Sequence, residues 1–164
     1  MTIQILTQAR PELIKRSYEA LEGVHRAIVH VYNSTSTVQR EQVFEMDMEG
    51  VKQIAVDGAK EVRRHAKNYP DTEWIFQYSP ESFSTTEVDY AVEVVDAVNE
   101  VWRPDQGQHV IINVPATVEM ATPNVFADQI EWFCDHVQMR EHFDLSVHTH
   151  NDRGCAIAAA ELAC

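Results

Sequence analysis

Residues 144–154, DLSVHTHNDRG, place His148 and His150 two positions apart behind a short run of strand formers. Side chains two apart on a strand share a face. Ser146, His148 and His150 therefore point one way, and Leu145 and Val147 the other. Two imidazoles on one face can share a divalent metal, since imidazole is the commonest metal-binding side chain. The plain alternative is a pair of polar residues closing a strand, and spacing identifies no third ligand. Glu81 follows Tyr78-Ser79-Pro80. A carboxylate there suits general acid–base work or substrate orientation; a solvated loop glutamate is the bland reading. His30 sits inside AIVHVY, where a lone histidine is commonly a hydrogen-bonded core residue. Thr117, after Pro115-Ala116, stands alone as a turn residue.

These side chains need elements to position them. Five short runs rich in β-branched or aromatic residues read as strands: Ile3–Leu6, Ala27–Tyr32, Trp74–Tyr78, His109–Val114 and Leu145–His148. Pro80 biases Ser79 toward extended geometry and is expected to end its strand. Between the strands lie helical patterns. Pro11–Leu21 carries Leu13, Ile14, Tyr18 and Leu21 near one face. Residues 43–68 carry Val51, Ile54, Ala55, Ala59 and Val62 at three- and four-residue spacing. Ser84-Thr85-Thr86-Glu87 reads as a capping box opening a helix through about Trp102. Thr122-Pro123 opens another through about Val137, and Gly154–Cys164 is Ala-rich and helical. The order is β-α five times, with room for a crossover helix each time, which predicts a mostly parallel sheet.

Two architectures fit: a doubly wound open sheet, or part of a (β/α)8 barrel. The first lacks a GxGxxG turn after its first strand, and no GxxxxGK[ST] loop occurs. The barrel reading gathers His30, Ser79 with Glu81, Thr117, and His148 with His150 at strand C-termini, which converge on one face of a barrel. A closed barrel needs roughly 250 residues, so 164 residues make a partial one.

Composition narrows the classes. Apolar residues at 45% and charged residues at 24% allow an ordinary soluble core. The formal net charge of −13 repels phosphate backbones and disfavours nucleic acid or anionic membranes as partners. No apolar stretch approaches the ~18–20 residues of a membrane span. Three cysteines (Cys134, Cys155, Cys164) without a CxxC pair point to reduced thiols in a cytoplasmic setting.

HTHNDRG before an Ala-rich helix, with HVYNSTS, YSPES and NVPATVEM upstream in that order, resembles the catalytic barrel of the 2-isopropylmalate synthase family. LTQAR at Leu6–Arg10 and TPNVFAD at Thr122–Asp128 extend the likeness over nearly the whole chain. The resemblance implies an acyltransferase that condenses acetyl-CoA with 2-oxoisovalerate, giving 2-isopropylmalate and CoA in leucine biosynthesis. Homocitrate and citramalate synthases are its relatives and the alternative readings, beside a non-catalytic, self-associating barrel piece. By resemblance, His148 and His150 match the two metal-binding histidines, for Zn, Mg or Mn. His30, Ser79 and Thr117 match residues of the oxo-acid pocket, and Glu81 one with a catalytic or orienting role.

The likeness maps residues 1–164 onto barrel strands three to seven with their helices. The first-strand Asp-Arg pair, the eighth strand, the C-terminal linker and the regulatory domain of the family have no counterpart here. The expectation is a fragment of a catalytic domain, inactive alone and self-associating through its exposed edges.

Overall fold

A computed structural model describes all 164 residues. Ten elements alternate around a five-stranded sheet: β1 (Ile3–Gln8), α1 (Pro11–Ala20), β2 (Arg26–Ser34), α2 with α3 (Thr37–Gln39 and Met48–Ala66), β3 (Glu73–Glu81), α4 (Val88–Trp102), β4 (Val110–Ala116), α5 (Pro123–His136), β5 (Asp144–Thr149) and α6 (Ala156–Ala163). All four strand pairings are parallel and the spatial order is β1-β2-β3-β4-β5. That order decides between the two architectures. A doubly wound sheet reverses its strand order at a switch point. Here each crossover steps the same way, and right-handed crossovers in one direction put every helix on one face. The sheet is part of a (β/α)8 barrel and does not close.

The pleat sorts the strand residues. Val29, Val31, Phe76, Tyr78, Val110, Ile112 and Val114 face the helices and belong to one continuous apolar core. The opposite parity presents Gln4, His30, Gln77, Ser79, Asn113 and Ser146, a polar set on the barrel's inner face. Tyr18 and Trp102 tie the helical layer together. Each is buried and donates to a carbonyl of α3, Val62 and Ala59 respectively. Gly58 on α3 lies where a Cβ would stand 2.9 Å from Ala9 Cβ, so only glycine lets the helix approach the end of β1.

Three local expectations change. Pro80 does not end β3, which runs on to Glu81 and pairs with β2 through Ser34. Alternate residues of β3 bond alternate neighbours: Phe76 N–H reaches His109 on the β4 side, and the Glu81 carbonyl accepts from Thr35 on the β2 side. Pro80 has the parity of Phe76, and β3–β4 pairing stops at Tyr78–Ile112. Its missing N–H falls where no ladder needs it. The capping box does not form either. A short 3-10 turn at Phe83–Thr85 takes those residues, and α4 starts at Val88 after Glu87 with no side-chain cap. The Thr86 hydroxyl bonds the Ser82 carbonyl and the Thr35 hydroxyl instead. Finally, the pattern read as one helix from residue 43 splits. Arg40–Phe44 forms a π-helical turn, Glu45 adopts left-handed geometry, and α3 begins after Asp47, whose carboxylate caps Gly50 N–H at 2.8 Å.

Candidate functional site

At the C-terminal ends of β2, β3, β4 and β5 a cavity of about 180 Å3 opens. His30, Ser79, Glu81, Thr117, His148 and His150 all line it, together with Leu6, Tyr32, Asn113 and Pro115. All six residues singled out by type and spacing thus reach one space. His30 and Ser79 are buried; Glu81, Thr117 and His150 are half-buried; His148 is exposed.

Each is held differently. His30 lies between Gln4 and Ser79, with Nδ1 3.3 Å from Gln4 Nε2 and Nε2 2.7 Å from Ser79 Oγ. Asn113 donates to Ser79 Oγ at 2.7 Å, bridging β3 and β4 one residue beyond their last ladder pair. Thr117 Oγ1 accepts from Ser82 N–H at 3.2 Å, which leaves its own proton for the cavity. Glu81 is fixed by its backbone: its carbonyl accepts from Thr35 N–H at 3.0 Å and from the Thr35 and Ser34 hydroxyls. Thr35 in turn accepts through its carbonyl from Arg40, which also grips Glu87 with its two terminal guanidinium nitrogens.

Burial sets the charges. His30 is pushed down to about 4 by burial, with His148 adding repulsion. His148, though exposed, is lowered by the partial desolvation of its ring at the cavity and by His150. Both rings are neutral at pH 7, so each offers a nitrogen lone pair. The Glu81 carboxyl is raised by burial, toward the range where a carboxylate exchanges protons readily.

The His148 and His150 rings lie 5.2 Å apart between centroids, tilted by 49°. Two imidazoles at that separation fit two positions around a divalent cation. No group of three or more His, Cys, Asp or Glu side chains completes a coordination set. His150 Nδ1 also accepts from Val118 N–H at 3.2 Å. Its proton therefore sits on Nε2, and binding a cation through Nε2 requires releasing that contact.

The segment Asn151-Asp152-Arg153-Gly154 now has a physical role. Asn151 Oδ1 accepts from Ala156 N–H at the start of α6, and Asp152 Oδ2 accepts from Glu119 N–H. Glu119 returns its carboxylate to the N–H groups of Arg153 and Cys155. The loops after β4 and β5 are thereby stitched together beneath the two histidines. Sequence reasoning missed Asn113, Gln4 and Gln77. The available signal was parity: Asn113 is four residues before Thr117, and Gln77 is two before Ser79.

An incomplete parallel barrel with polar and titratable residues at its strand C-termini defines the class: an α/β-barrel protein with its site in the standard position of that fold. The chain belongs to the HMGL-like family, whose profile matches residues 1–164. It is 62% identical over 161 residues to a 2-isopropylmalate synthase of Alcanivorax borkumensis, covering 98% of this chain and 29% of that protein. The corresponding enzyme of Ralstonia nicotianae is 59% identical over 163 residues, covering 99% and 28%. That of Clostridium acetobutylicum is 55% identical over 164 residues, covering 99% and 29%. The chain thus spans under a third of the length of these relatives. The family generally uses a divalent metal. No helix is long and apolar enough to cross a membrane.

Proposed function

We propose that residues 1–164 form the oxo-acid-binding part of a 2-isopropylmalate synthase catalytic barrel, corresponding to strands three to seven. The reaction is the condensation of acetyl-CoA with 2-oxoisovalerate to 2-isopropylmalate and CoA, in leucine biosynthesis and in the cytoplasm. One observation carries this: the six residues that match the family's site residues line a single cavity. A divalent cation (Zn, Mg or Mn) held by His148 and His150 would supply Lewis acidity toward the ketone.

The chain's own groups do the rest. The Ser79 and Thr117 hydroxyls orient the oxo acid by donating to its oxygens. Neutral His30 backs Ser79 and keeps an extra positive charge out of the pocket. Glu81, with its raised pKa, holds or takes a proton at its carboxylate. In the overall reaction the acetyl methyl loses a proton, its carbon bonds the ketone carbon, the ketone oxygen gains a proton, and water splits the thioester to release CoA. Two nitrogen ligands and one half of a pocket suit binding, not turnover, so the chain alone is expected to release no CoA. β1 pairs only with β2 and β5 only with β4, leaving two open edges that favour self-association.

Calorimetric titration of Zn or Mn into the chain and into a His148→Ala/His150→Ala variant tests the site. Single-site binding lost in the variant supports the assignment; equal binding by both overturns the metal role. Titration with 2-oxoisovalerate against 2-oxoglutarate checks the substrate. Preference for 2-oxoglutarate would move the assignment to a homocitrate-synthase type.

A further inference from the structure

One side chain from each of the five strands joins a single hydrogen-bonded row across the sheet's polar face: Gln4, His30, Ser79, Asn113 and Ser146. The function proposed above uses His30 and Ser79 and leaves Gln4 and Asn113 without a role. The polarity of the row can be followed bond by bond. Gln4 Nε2 donates to Gln77 Oε1 at 3.1 Å and to His30 Nδ1. An imidazole nitrogen that accepts carries no proton, so the neutral ring bears its proton on Nε2. That N–H points at Ser79 Oγ. From the other side, the Ser146 hydroxyl donates to Asn113 Oδ1 at 3.1 Å, which turns Asn113 Nδ2 toward the same Ser79 oxygen. A hydroxyl oxygen has two acceptor positions and one proton to give. Both acceptor positions of Ser79 are filled within the row.

We propose that Gln4 and Asn113 are positioning residues that hold the Ser79 hydroxyl as an obligate donor to the cavity, so that the ligand atom it meets is a carboxylate or carbonyl oxygen. The arrangement selects a 2-oxo acid over the corresponding 2-amino acid, because an ammonium in that place would set donor against donor. Only the identity of the ligand rests on the oxo-acid reading; the direction of the row stands without it. Gln77, Asn113 and Ser79 are buried, so each unmatched donor there would be costly. The isosteric variants Gln4→Glu and Asn113→Asp change polarity with little change in shape. A carboxylate at position 4 draws the ring proton to Nδ1, after which Ser79 donates to Nε2 and loses its cavity-facing proton. A carboxylate at position 113 captures the Ser79 proton directly and leaves the ring tautomer alone.

The test has two arms on the 164-residue chain. Nitrogen-15 NMR of labelled histidines, without metal, reads the His30 tautomer. The expected result is Nε2–H in the unaltered chain and in Asn113→Asp, and Nδ1–H in Gln4→Glu. Calorimetry with 2-oxoisovalerate and Mg2+ is expected to show a loss of about tenfold or more in affinity for both variants, one missing charge-assisted hydrogen bond. The amino acid valine should not compete. An Nδ1–H ring in the unaltered chain overturns the polarity. Nε2–H with undiminished affinity in both variants overturns the positioning role. If the unaltered chain binds no 2-oxoisovalerate, the oxo-acid reading and the ligand half of this inference fall, and the tautomer pair decides the positioning half by itself.

Discussion

Acid should destabilise this chain through His30, and the size of the effect follows from its burial. His30 is 9% exposed and its pKa is pushed down to about 4, against an unfolded value of about 6.5. The folded pKa is the lower one, so between these values the unfolded chain binds one more proton than the folded chain. Stability is full above pH 6.5 and falls as pH drops toward 4, by ~1.4 kcal/mol per unit. The whole span amounts to ~3 kcal/mol, and about 2 kcal/mol of it lies between pH 7 and 4.5. His65 and His148 are also lowered by burial and add terms of the same sign, so the comparison must isolate His30. Urea unfolding followed by tryptophan fluorescence, with chelator present, gives the stability of the unaltered chain and of His30→Gln at both pH values. Trp102, buried in the helical layer, reports the transition. The variant should be less stable at pH 7, having lost the Ser79 contact, yet its acid slope should be flatter by about 2 kcal/mol. Parallel stability curves for the two proteins would refute the claim that His30 is folded as a buried neutral ring.

Three other perturbations probe contacts away from His30. Arg40 meets Glu87 in a two-pronged pair at 2.7 and 2.9 Å, with Arg40 buried and the Glu87 side chain 40% exposed. An Arg40→Met/Glu87→Gln double-mutant cycle should give a coupling of about 2 kcal/mol, between the ~0–1 of surface pairs and the ~3–5 of breaking buried ones. Glu87 is held down to about 2 by Arg40, so this term is present above about pH 4.5 and disappears as pH falls toward 2. Gly58→Ala should cost about 1–2 kcal/mol in chemical denaturation despite the better helix former, because its Cβ would meet Ala9 at 2.9 Å. Val118 has φ +65°, a left-handed geometry that a β-branched residue resists, and Val118→Gly should raise the unfolding free energy by about 1 kcal/mol at constant m.

Much of the architecture was legible because periodicity is a local signal. IQIL, AIVHVY and LSVH alternate or run apolar over strand lengths, and the helix patterns between them repeat at three and four residues. The five strands and their parallel pairing follow from that order. Strand ends were less legible. β3 passes through Pro80 because β4 has already separated there, a fact about a neighbour 34 residues away. Ser84–Glu87 carries the letters of a capping box, yet its hydroxyls are claimed by carbonyls brought in by the fold, Thr117 among them. Of the site, the titratable members were visible by type and spacing. Asn113 was not, since within HVIINV it reads as one polar residue in an apolar strand. Its role depends on which residues of β3 and β5 lie beside it.

The site divides into a firm half and an open half. His30, Ser79 and Asn113 sit on the three central strands, are buried, and are bonded to one another. Glu81 is anchored there too, by backbone contacts that lead through Thr35 to the Arg40–Glu87 pair. That half is preorganised, so a ligand oxygen meets donors already in place. His148 and His150 lie on and just beyond an edge strand with neighbours on one side only, and His150 is engaged with Val118. A cation must therefore compete with a backbone N–H for one ring and finds no third protein ligand beside the pair. Selectivity for the ligand's oxygens should reside in the central strands, while metal affinity should depend on whatever lies against β5.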